Sequence, residues 1–166
     1  MSQSAAQEGP TVTPPPLVTT GTAAPGAATE QATPVLDDIS TPTHVHDLVI
    51  QFYREIVFDD ILEPVFGEVA EVDWAEHIPK LIDYWCWILF GTGRPSGMVT
   101  IAHRHLHGLS PIQPIHCDRW YQLWRASVDQ RWSGPTADKA KDHAATLMSG
   151  MAKRIFGFAW ERPDAP

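Results

Sequence analysis

From Thr43 to Phe58 the apolar residues fall at Val45, Leu48, Val49, Phe52, Tyr53 and Ile56. Steps of three and four gather them on one face of a helix. Thr43 stands before the pattern as the expected N-cap. The following "DDILEPVFG" predicts a short helical turn stopped around Pro64 to Gly67. A denser pattern covers 74–90, with Trp74, Ile78, Leu81, Ile82, Tyr84, Trp85, Ile88 and Leu89. Asp73 with Glu76 predicts its N-cap, and Gly91 its stop. Pro79 lies inside it and predicts a kink or an irregular first turn near His77.

"GTGRPSG" reads as a loop, and a short helix is expected over 98–107. A helix over 114–132 opens at Pro114, a residue suited to a first turn, and carries Trp120, Leu123, Trp124 and Val128 on one stripe. The last, over 136–156, aligns Ala137, Ala140, Ala144, Leu147, Met148, Met151 and Ile155 as a core face. Every periodic segment is helical, so the expected architecture is all-α, with helices packed around something buried.

Composition divides the chain. Residues 1–42 are rich in Pro, Ala, Thr and Gly, with no aromatic and no basic residue. Such a segment buries too little apolar surface to offset its ordering entropy, and it is expected to be a disordered tail. It lacks the basic start and apolar run of a secretory signal, and the arginines of a transit peptide. All seven Trp, three Tyr and six Phe lie beyond it. The expected organisation is a tail over 1–42, a domain over 43–158 and a short C-terminal tail over 159–166. The net charge of −8 argues against a nucleic-acid partner, and no apolar run reaches membrane-spanning length. Cys86 and Cys117 make no disulfide framework, so a cytoplasmic setting with buried structural thiols is expected.

The candidate chemistry starts at "TIAHRHLHG", where His103, His105 and His107 fall within five residues. On a strand all three would share a face and could hold zinc. On a helix each residue advances about 100°, so His103 and His107 share a face and His105 points away. The context is helical, and the chain has no HExxH or CxxC to complete a zinc site. Considered alone, the cluster reads most simply as a solvated helix. Other helices change that balance. His77 lies on a stripe with Leu81, Tyr84 and Ile88, Tyr53 interrupts an apolar face, and Trp120 sits mid-stripe. Buried Tyr and Trp tips need polar partners. An apolar cage with a few converging polar groups describes a cofactor or small-molecule pocket.

Three segments carry a family likeness. "FYREIVFDDILEPVF", "WAEHIPKLIDYWCWILFGTG" and "HCDRWYQLW" resemble, in order and spacing, the truncated haemoglobins, most of all their third group. The likeness spans roughly 44–156. It departs from the pattern at Cys117, where the family has Phe, and in lacking Gly-Gly hinges, as is usual for the third group. The resemblance implies a 2-on-2 helical sandwich holding haem b. It implies that Tyr53 is the distal tyrosine, Phe66 the ring stacked on the porphyrin, His77 the distal histidine and Leu81 the apolar residue over the ligand. Tyr84 and Trp85 correspond to an aromatic pair, and Trp120 to the indole facing the ligand.

For the iron-binding residue, third-group spacing from His77 selects His103. Counting back from Trp120 brings His107 closer to the family spacing, so His107 is the runner-up and otherwise a propionate partner. Arg104 and Arg94 are further propionate candidates. The resemblance implies binding of O2, NO, CO or peroxide. With two or three hydrogen-bond donors at the ligand, slow release is expected, which suits NO dioxygenase- or peroxidase-like turnover better than transport. No nucleotide fingerprint is present, so electrons would come from an external reductase. A gas or redox sensor, and a haem-free helical interaction module, are the competing readings.

Overall fold

A computed structural model of the chain describes residues 35–70, 72–93 and 99–163. Five α-helices follow in order: α1 (Pro42–Val57), α2 (Trp74–Phe90), α3 (Val99–Leu109), α4 (Pro114–Asp129) and α5 (Pro135–Met151). Two wider π-type segments, Pro64–Val69 and Ala152–Phe156, follow α1 and α5. No strand occurs among the described residues, and no helix there is long and apolar enough to cross a membrane. The histidine cluster is therefore helical. The expected tail falls outside the described residues up to position 34.

Local chemistry sets the helix ends. Thr41, two residues ahead of the expected cap, accepts a hydrogen bond from the His44 N–H at 3.2 Å. Pro42 occupies the first turn, where its missing N–H costs nothing. Pro64 likewise opens the first π-type segment instead of stopping a helix. At α2 the Asp73 carboxylate accepts from the N–H groups of Ala75 and Glu76 at 3.0 and 3.2 Å. The expected irregularity near His77 is absent. Its N–H donates to the Asp73 carbonyl at 2.8 Å, and the helix runs on through Pro79. Pro79 sits on the exposed side and removes a single helical bond. Gly91 ends α2 at φ 72°, a left-handed conformation that costs glycine little.

The helices stack as two pairs. α1 packs on α2, α4 packs on α5, and the pairs meet through α1 on α4 and α2 on α5. Phe52, Tyr121, Trp124, Leu48 and Ile56 are buried in the core. Cys117 and Cys86 lie in the core as free thiols. Burial, with Asp118 nearby, pushes the Cys117 thiol up to about 12, so it is an inert packing group. The corner after α1 is tied to α4 by Asp59, 7% exposed, which receives the Arg119 Nε–H at 2.6 Å.

The packed body reaches past both expected edges, 43 and 158. Ile39 is 1% exposed, and the Asp38 carboxylate receives the first N–H groups of α5, from Thr136 and Ala137, at 2.9 and 2.8 Å. Gly134 sits against that carboxylate, and a Cβ there would come within 2.7 Å of Asp38 Cγ. At the other end Trp160 is buried and donates its indole N–H to Asp118 at 2.8 Å.

Candidate functional site

Tyr53 is delivered from the last turns of α1 into an aromatic nest. Its ring lies 4.9 Å from Phe52, 5.3 Å from Trp74, 6.1 Å from His77 and 6.3 Å from Phe66, centroid to centroid. Burial pushes the Tyr53 phenol well above its ordinary value, so it keeps its proton and remains a donor. Trp74, one turn before His77 on α2, stacks on Phe66 at 6.2 Å and 21°. Sequence reasoning assigned Trp74 only to the core. Its i, i+3 relation to His77 was the available signal.

His77 is half-buried. Burial lowers its imidazole from the usual range, and His103 and Lys80 push it further the same way, against a weaker pull from Glu76. It is therefore neutral near pH 7. The His103 effect matters geometrically. His103 is on α3, whose main packing partner is the Ala152–Phe156 segment, whereas α2 packs on α1 and α5. His103 thus acts electrostatically on His77 from a helix whose main packing partner is another segment.

The other histidines of α3 differ. His105 is exposed. His107 is half-buried beside Phe156, with ring centroids 5.3 Å apart, and its Nδ1 accepts the Ile112 N–H at 3.0 Å. Arg104 is exposed, and Arg94 lies outside the described residues. Among the described residues no three of His, Cys, Asp and Glu gather as a metal-holding group.

Trp120 lies on α4. Its ring is 5.2 Å from Phe52 and nearly parallel to Trp124 at 6.0 Å and 5°. Leu81 is half-buried against the core. Tyr84 turns towards α5, where its oxygen lies 2.7 Å from His143 Nε2. His143 escaped the sequence reading, since nothing in the local pattern links positions 59 residues apart.

The two stacked helix pairs, with the short α3 packed chiefly on the Ala152–Phe156 segment, form the fold of a truncated haemoglobin. The chain is similar in structure to the group III truncated hemoglobin from Campylobacter jejuni, with a TM-score of 0.64 and 20% identity. That likeness covers 74% of this chain and 97% of the other. No family model matches the chain, and no match was found among curated proteins. At this identity the likeness carries the fold.

Proposed function

We propose that this chain is a globin in which His103 on α3 would hold haem b, and that the bound group would take O2, NO or CO. The observation that supports this reading is that His103, on a helix packed chiefly on the Ala152–Phe156 segment, acts electrostatically on His77 of α2, which lies beside Tyr53. The donor set suits the group. The His103 imidazole could serve as ligand, while α1, α2 and α4 would offer a protonated Tyr53, a neutral His77 and the Trp120 indole, which can only donate. Phe66 and Leu81 supply apolar surface for a flat macrocycle.

Haem, when bound, supplies iron able to take a diatomic ligand or peroxide and to exchange electrons. Tyr53 holds its proton at Oη for donation to a negatively polarised ligand. The surrounding aromatic rings exclude competing water, which strengthens that bond. His77 either adds a second donor or stands at the entry path. Such a pocket retains O2 and favours NO dioxygenation or peroxide reduction over transport. The electrons for turnover would come from a separate reductase. The two free thiols suit a reducing cytoplasm.

Purification with haem supplied, followed by an absorption spectrum, tests this reading. A stoichiometric Soret band that shifts with CO is expected. A chain that folds but takes up no haem would overturn it.

A further inference from the structure

Outside the ligand-facing groups, an unbroken run of aromatic rings crosses the core. Trp120, whose ring is 5.2 Å from Phe52, itself 4.9 Å from Tyr53, lies parallel to Trp124 at 6.0 Å. Trp124 stacks on Trp85 of α2 at 4.2 Å and 20°. Trp85 meets Tyr84 at 5.6 Å and the His143 ring at 5.6 Å. Tyr84 in turn lies 6.4 Å from Trp87, which is 42% exposed. Three tryptophans in sequential contact form a continuous path of rings from α4 to α2. Indole and phenol are the side chains most readily oxidised by one electron.

The far end of the run has a feature that the middle lacks. A phenol loses an electron easily only when its proton leaves too. Tyr84 has a proton acceptor in place, because His143 Nε2 is 2.7 Å from its oxygen. With the imidazole proton on Nδ1, Nε2 accepts the Tyr84 O–H. Burial, and secondarily Lys139, lower the His143 imidazole, while burial raises the Tyr84 phenol. The resting pair is thus neutral, with the proton on Tyr84.

We infer that Tyr84 and His143 form a redox-active pair, wired to the haem cleft through Trp85, Trp124 and Trp120. Tyr84 releases one electron along the indoles to an oxidant in the cleft and passes its phenolic proton to His143 Nε2. The products are a neutral tyrosyl radical and an imidazolium. The oxidant is hydrogen peroxide acting at bound haem. It would take two protons from solvent and two electrons, one from Tyr84 and one from the bound haem, and leave as two waters. An external reductant returns one electron to each donor, and His143 returns the phenolic proton to Tyr84. The pair sits at the outer end of the run, next to exposed Trp87. This inference rests on the haem reading above.

The test is freeze-quench electron paramagnetic resonance of the full-length, haem-loaded chain mixed with peroxide, with signals compared per bound haem. A tyrosyl signal is expected in the wild type, lost in Tyr84→Phe and retained in Tyr121→Phe. His143→Phe should lose it as well, because the proton has nowhere to go. A tyrosyl signal of unchanged yield in Tyr84→Phe, or haem-loaded wild type with no tyrosyl signal, overturns the inference and leaves the haem reading standing. Failure of the wild type to take up haem overturns both.

Discussion

The Nδ1 of His107 accepts the backbone N–H of Ile112 at 3.0 Å. That bond places the single proton of the neutral ring on Nε2. An axial histidine needs the reverse arrangement, with Nε2 bare and Nδ1–H donating to a neighbour. His107 thus behaves as the fastener between the end of α3 and the chain that leads into α4. Replacing it with Ala should cost about 1–2 kcal/mol of unfolding free energy, since it strands a backbone donor beside buried Ile112. Urea denaturation reads that cost, and the variant should keep the wild-type axial spectrum when loaded with haem.

Tyr53 is the donor best shielded from water. Tyr53→Phe removes its hydroxyl and leaves the ring contacts with Phe52 and Trp74 in place. A hydrogen bond to a charged acceptor is worth about 1.5–3 kcal/mol, so O2 should leave roughly ten- to hundredfold faster. Stopped-flow displacement of O2 by CO measures the rate. An unchanged rate would remove Tyr53 from the ligand's side of the pocket.

Asp38 links acid stability to the N-terminal edge of the packed body. Burial acts to raise its carboxyl pKa, but the N–H groups of Thr136, Ala137 and Ile39 outweigh that and hold it below 3.8. A carboxyl depressed in the folded state adds stability above its unfolded pKa. That contribution is lost as pH falls through the folded value. Asp38→Ala should therefore weaken the fold at pH 7 and show a smaller loss of stability below about pH 4 than the wild type. Ile39→Ala, by cavity formation, should cost about 2–4 kcal/mol at any pH. A chain starting at residue 43 should melt lower than one starting at 35, as read by calorimetry.

Much of the fold was legible because amphipathic periodicity survives into the structure. The stripes through Leu48, Phe52 and Ile56 on α1 and through Ala137, Ala140 and Ala144 on α5 are the buried faces observed. Helix ends were less legible, because proline carries two opposite meanings. Pro42 and Pro64 open segments that a breaker rule would close. The packed residues beyond the expected edges were hidden for a different reason. Ile39 and Trp160 have no periodic neighbours, and only tertiary contacts bury them. In the candidate site, Tyr53 and His77 were readable as polar tips on apolar faces. Trp74 was hidden among core residues of its own helix, and the Tyr84–His143 pair joins two helices whose register the sequence does not reveal.

The central claim concerns His103 and the iron it would hold. The direct measurement is resonance Raman spectroscopy of the ferrous, ligand-free protein, in His103→Gly and His107→Gly, with and without added imidazole. The account predicts that His103→Gly loses the iron–histidine stretch and regains an iron–imidazole stretch when imidazole enters the space left behind. His107→Gly should keep the stretch throughout. Loss of the stretch in His107→Gly, with His103→Gly unaffected, would contradict it.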